Sequence, residues 1–171
     1  MSPAAVPLAQ VSVGVVVERR KATSPWADFV WRAVSILPDA PEMVPWTALR
    51  EEDESVLFYA GSRAVDLYRS ETARYRDNLA TGNPSLWVVL SPAEGAWPYA
   101  LAAVTADPAE GEAFTEAGAN LVEAVAMPDT VREVVESFIA EHHVEREFVK
   151  RKRRRADPEV LARRHSESGH E

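Results

Sequence analysis

Val11 to Glu18 is a run of Val and Ser with one Gly, a composition that suits a strand. Basic and turn residues follow from Arg19 to Pro25. Phe29 to Leu37 predicts a second strand, with Trp31, Ala33, Ser35 and Leu37 on one face and Val30, Arg32, Val34 and Ile36 on the other. Pro38, Pro41 and Pro45 interrupt regular structure, so residues 38–54 are expected as a long connection ending in the acidic run Glu51–Glu54. Val56 to Ala60 and Ala64 to Arg69 are expected as two short strands around a tight turn at Gly61-Ser62. Ser70 is placed to cap a short helix through about Leu79, whose buried face carries Tyr75 and Leu79, and Gly82 and Pro84 stop it.

Leu86 to Leu90 and Tyr99 to Thr105 predict two apolar strands, joined by a loop containing Pro92, Gly95 and Pro98. Asp107-Pro108 is a helix start, a capping side chain followed by proline at the first helical position, and the helix should end near Gly118. Leu121 to Ala126 is the last predicted strand. The final helix is read from a capping box, Thr130 with Glu133 after Pro128, and from the apolar stripe Val131, Val134, Val135, Phe138 and Ile139. It is expected to run past Phe148 into a basic segment, with a break at Asp157-Pro158.

Several strands precede the first helix, so simple strand–helix alternation is excluded. The predicted class is α+β: a mostly antiparallel curled sheet, a small barrel or half-sandwich, covered by a long C-terminal helix. Residues 1–10 are expected as a flexible leader, 11–149 as one domain, and 150–171 as a basic helix end followed by a disordered tail.

Length and composition agree with one domain. The chain has 171 residues, 46% apolar and 27% charged, enough for a core that stands without covalent staples. It has no cysteine, which removes disulfides, thiolate nucleophiles and cysteine metal sites. With no signal-peptide pattern in Met1–Gln10 and no apolar run near the roughly 20 residues that span a bilayer, a cytoplasmic protein away from membranes is expected.

Charge changes the picture more than composition does. Residues 1–145 carry 10 Lys and Arg against 22 Asp and Glu, a net −12. Residues 146–171 carry 9 against 5, a net +4. An acidic body therefore ends in a cationic segment, concentrated at Lys150, Arg151, Lys152, Arg153, Arg154 and Arg155. This run either solubilises a helix end and suits the negative pole of the helix dipole, or docks an acidic protein surface. Nucleic acid is disfavoured, because the acidic body repels phosphates and no aromatic side chain is interleaved with the basic ones.

Few residues suggest bond-making chemistry. His142 and His143 are adjacent, so on a helix their rings point about 100° apart and do not share a metal, although His142 and Glu145 have the i,i+3 spacing. They read as surface residues or as part of a partner contact beside the basic run. Trp31 and Trp87 lie in predicted strands and read as core. Trp26, Trp46 and Trp97 lie in predicted loops, where they either close a core edge or anchor a partner. No phosphate-cradling glycine motif and no nucleophile elbow is present. Arg63, Arg69, Arg74 and Arg76 could contact an anion, or could form surface ion pairs with Asp66, Glu71 and Asp77. No catalytic residue, metal site or cofactor is assigned.

Several residue groups together carry a resemblance: VSVGVVVERR from Val11, Pro25-Trp26, Trp31-Arg32, Tyr59-Ala60-Gly61, Leu67-Tyr68 with Glu71-Thr72, and Tyr75 with Asn78-Leu79. Met127-Pro128, His142-His143, and Phe148 with Lys150 to Arg153 complete the set. Over residues 11–155 the chain resembles an uncharacterised family of small proteobacterial proteins found near formate dehydrogenase accessory genes, sometimes labelled molybdopterin-guanine dinucleotide biosynthesis proteins. The resemblance implies a role in maturation or support of a molybdenum-dependent formate dehydrogenase, and with no catalytic signature in the chain a non-catalytic accessory protein is expected, with a subunit or maturation factor as partner. Guanylyl transfer does not fit, since Glu18-Arg19-Arg20-Lys21 follows the first strand where guanylyltransferases carry a glycine-rich loop. The alternatives are a binder or carrier of a phosphate-bearing cofactor such as molybdopterin, or a nucleic-acid-binding regulator acting through the basic tail.

Overall fold

The computed structural model describes residues 6–143. Strand β1 (Ala9–Lys21) pairs antiparallel with both β2 (Phe29–Leu37) and β4 (Ser55–Leu67), and β3 (Thr47–Glu51) pairs with β4. This gives one sheet in the order β2-β1-β4-β3. After a 3-10 turn at Arg69–Glu71 and helix α1 (Thr72–Ala80), the chain builds a second antiparallel sheet. Its members are β5 (Ser85–Pro92), β6 (Tyr99–Thr105) and, after helix α2 (Pro108–Glu116), β7 (Leu121–Ala126), in the order β6-β5-β7. Helix α3 is described over residues 129–143.

The expected single curled sheet under a long helix is therefore corrected. Among the described residues there are two sheets, and they approach each other where β4 meets β6 and β2 meets β7 without hydrogen-bonding into a closed barrel. The described part of helix α3 covers 15 residues, about 22 Å at 1.5 Å per residue. Alternating apolar positions give a strand an inward face but do not name its partner, so the division into two sheets was not encoded in the local pattern. The expected extension of this helix beyond Phe148, and the tail after it, lie outside the described residues.

Inward positions of both sheets make one core. Val13, Val15 and Val17 from β1 share one core with Leu86, Val88 and Leu90 from β5, all of them fully buried. Each such side chain contributes roughly 1.5–3 kcal/mol through removal of apolar surface from water. Helix α3 adds Val131, Val135 and Phe138, and the Phe138 ring lies edge-on to buried Tyr75 of α1 at 6.2 Å. Val134, expected on the same stripe, is instead 40% exposed. The helix begins at residue 129, with Arg132 N–H donating to Pro128 O, so Thr130 stands inside the first turn rather than at its cap.

Two local expectations around β4 also change. Residues 55–67 form one continuous strand, not two strands around a tight turn. Gly61 sits at a β-bulge, where the register against β1 passes from Val15↔Gly61 to Val16↔Tyr59, and its φ of +128° is a conformation that side-chain-bearing residues rarely adopt. Glycine was a correct sign of irregular backbone, but the irregularity is a bulge. The connection expected at 38–54 contains β3, which fills the place beside β4 after Pro45 ends the proline-rich stretch.

Candidate functional site

Three regions of the surface combine exposure with chemical character. The first is the end of the sandwich where β1 passes into β2. The period-two run Val13, Val15, Val17 places Arg19 on the same inward face, and Arg19 stands opposite Trp31 on β2 and Val56 on β4. Its guanidinium carbon lies 4.5 Å from the Phe29 ring centroid, 5.2 Å from Phe58 and 5.8 Å from Trp31. The Arg19 Nε is sealed from solvent without a hydrogen-bond partner. Behind it the aromatics are tightly grouped: Trp97 meets Phe58 edge-on at 5.0 Å and stacks on Trp46 at 5.7 Å, and Trp46 meets Trp31 edge-on at 5.8 Å. Trp46 reaches this cluster with a φ of +70°, a backbone cost that its burial offsets.

Two of the three loop tryptophans thus close the core, and Trp26 does not. It is 93% exposed on the loop between β1 and β2. That loop is held by a hydrogen bond from Ala22 N–H to Asp28 O at 3.1 Å and by one from Trp26 N–H to Ser24 Oγ at 3.2 Å. Phe29 and Val30, 39% and 48% exposed, follow at the start of β2, Phe29 on the face of Trp31 and Val30 on the opposite one.

The second region is a polar groove between α1 and α2. Asp107 caps α2 by accepting from Ala109 N–H at 2.9 Å, and its other oxygen accepts from Arg74 at 3.2 Å. Arg74 also pairs with Glu71 at 2.8 Å. A cleft of about 570 Å3 lined by Tyr68, Arg74, Asp107 and Glu110 adjoins one of about 290 Å3 lined by Gln10, Asp66, Tyr68 and Glu110. Burial raises the Glu110 carboxyl above the usual carboxylate range, and the Asp107 charge adds to this, while a hydrogen bond from Thr105 opposes it. Glu110 stands at the exposed rim, so solvent screens part of the effect. Burial likewise pushes the Tyr75 hydroxyl up to about 12, although that oxygen accepts a hydrogen bond from Tyr68 N–H at 2.9 Å.

Glu110 yields a signed prediction. A carboxyl whose folded pKa is raised favours the fold in its neutral form, so its contribution is complete below the unfolded value and disappears as pH rises through the folded one. Glu110→Gln is therefore expected to raise the unfolding midpoint at pH 7 and to leave it unchanged near pH 4. Urea titrations at the two pH values check this, and an equal shift at both would contradict the assigned cause.

The third region is a cleft of about 530 Å3 beneath residues 40–46, lined by Met43, Pro45, Trp46, Tyr59 and Arg63 among others. Tyr59 O–H donates to Pro41 O at 3.1 Å and ties this segment to β4.

The residues singled out by sequence are distributed over these features. His143 lies where α3 meets α1: Arg76 can only donate, so its contact at 3.1 Å makes the imidazole Nε2 the acceptor, and Nδ1–H then donates to Thr72 Oγ1 at 3.1 Å. His142 packs against the Phe138 ring at 4.5 Å. The two imidazoles thus serve different neighbours, and no group of three metal-ligating side chains occurs among the described residues. The arginines do not converge: Arg63 lines the β4–β6 clefts, Arg74 the α1–α2 groove, and Arg76 faces α3. Asp66 accepts from Gln10 at 2.6 Å, and Glu71 takes the ion pair with Arg74. Lys150, Arg151, Lys152, Arg153, Arg154 and Arg155 lie outside the described residues. Arg19 was not singled out from the sequence, although an arginine continuing an inward valine series was a legible sign. No described helix is long and apolar enough to cross a membrane.

Residues 12–153 match the family described as Protein of unknown function (DUF3305). No curated protein and no solved structure matches the chain.

Proposed function

We propose that this chain, which belongs to the DUF3305 family, is a non-catalytic interaction protein that docks a protein partner through the β1–β2 end. The carrying observation is Trp26, 93% exposed on a loop held by two hydrogen bonds, with exposed Phe29 three residues further along the chain. A ring carried on a loop whose backbone is already tied costs less backbone entropy on docking, and tryptophan is enriched among residues that dominate binding energy. The resemblance read in the sequence supports a partner connected with a molybdenum-dependent formate dehydrogenase, either a subunit or a maturation factor, in the cytoplasm. The cationic run Lys150–Arg155 supplies a second, electrostatic contact in this reading, with His142 and His143 leading toward it.

Trp26→Ala should cut recovery of the partner at least tenfold when the tagged full chain is purified from its host at native expression level. Its thermal midpoint should stay within a degree of wild type, since the ring buries nothing. Equal recovery by wild type and variant would sink the docking role of Trp26. Recovery of neither a molybdoenzyme subunit nor a maturation factor would remove the formate dehydrogenase connection.

A further inference from the structure

The Arg19 side chain has no hydrogen bond or ion pair with any described residue. Its neighbours on β1 differ: Glu18 pairs with Arg20 at 3.3 Å, so Arg20 is neutralised within the strand. Across the next turn Arg50 pairs with Glu52 at 2.9 Å. The Arg19 cation is held over three rings with Nε sealed in, while its terminal nitrogens are neither sealed nor bonded. A guanidinium fixed in this way is preorganised for a planar, bidentate acceptor, and a carboxylate has that shape. Phe29, one of the rings beneath it, is itself 39% exposed and stands three residues from Trp26 along the chain.

We propose that the β1–β2 end receives an extended acidic peptide segment of the partner, one carboxylate pairing with Arg19 and a neighbouring apolar side chain lying against Trp26 and Phe29. This rests on the reading that the same end docks a protein. A peptide carboxylate is favoured over phosphate because the apolar surface requires a hydrocarbon side chain beside the anion, while the −12 body repels both. The same long-range repulsion makes association slow and leaves specificity to the short-range contact, so screening by salt should not abolish binding.

The test uses the full chain and three probes: an acetylated alternating Glu-Leu hexapeptide, its Gln-Leu counterpart, and inorganic phosphate. Binding is followed by the NMR signals of the Arg19 Nε–H and the Trp26 indole N–H. The glutamate peptide should bind at least tenfold more tightly than the glutamine peptide and shift both signals. Arg19→Met should erase that discrimination, and Trp26→Ala should weaken both peptides alike. Should Arg19→Met fail to fold, Arg19→Lys retains charge without the bidentate fork, and at least a threefold loss of discrimination is expected. Equal binding of the two peptides, no shift at Arg19 with millimolar glutamate peptide, or larger shifts with phosphate than with peptide would each overturn the proposal. If the peptide fails while Trp26→Ala still abolishes capture of the native partner, the acidic class is wrong and the docking role stands. If capture survives Trp26→Ala, the docking role itself is wrong.

Discussion

Asn78→Leu is expected to destabilise the protein by about 3–5 kcal/mol, the range reached when a buried hydrogen-bond network is broken. Asn78 on α1 is 2% exposed and makes three hydrogen bonds to the main chain of the second sheet. Its Nδ2 donates to Ser85 O at 2.8 Å and to Ala106 O at 3.0 Å, and its Oδ1 accepts from Ser85 N–H at 3.0 Å. These bonds fasten α1 to the start of β5 and to the end of β6. Leucine fills similar space but leaves a buried N–H and two carbonyls without that partner, at roughly 1–3 kcal/mol for each group that finds no substitute. At about 2–4 °C per kcal/mol for a chain of this size, the thermal midpoint should fall by about 10 °C. Denaturant unfolding gives the value directly, and a loss under about 1 kcal/mol would mean that Asn78 does not fasten the sheet as described.

Gly111→Ala sets two effects of opposite sign against each other. Gly111 lies within α2, where alanine would by propensity stabilise by about 1 kcal/mol. A Cβ there would stand 2.5 Å from Trp87 Cγ and 2.9 Å from Trp87 Cβ, near the backbone of β5 where the side chain has little freedom. Relief requires α2 to lift from the sheet, and overpacking of this kind costs about 1–3 kcal/mol or more. The contact should win, with a net loss of about 1–2 kcal/mol, and Trp87→Leu in the same chain should restore part of it. Stabilisation by Gly111→Ala alone would show that propensity dominates and that α2 is free to shift.

The strands legible in the sequence were those whose signals are local. Leu121–Ala126 appears with the expected bounds, and Asp107-Pro108 starts a helix with its side chain on Ala109 N–H, because caps and periodicity act within a few residues. Pairing between distant strands left no such sign, and neither did the bulge at Gly61, which resembles a turn until the register is known. Several groups that carried the family resemblance turn out to hold the fold. Tyr75 accepts from Tyr68 N–H, Asn78 joins helix to sheet, Thr72 meets His143, and Tyr59 fastens the segment above it.

The site was less legible than the fold, for a physical reason. Exposure of a loop tryptophan depends on whether a distant surface reaches it. Trp46 and Trp97 are covered by one another and by Trp31 and Phe58, while nothing among the described residues covers Trp26. Proline beside each of the three gave the same local appearance. Arg19 depended equally on tertiary structure, since its aromatic surroundings come from both β2 and β4.

Hydrogen–deuterium exchange on the co-purified complex tests the central claim most directly. Residues 22–28 form an exposed loop whose amides, those of Ala22 and Trp26 excepted, should exchange within seconds in the free protein. The partner is expected to slow exchange across residues 22–30, with little change at β5 and β7. Exchange at 22–30 as fast in the complex as in the free chain, with protection elsewhere, would contradict docking at the β1–β2 end.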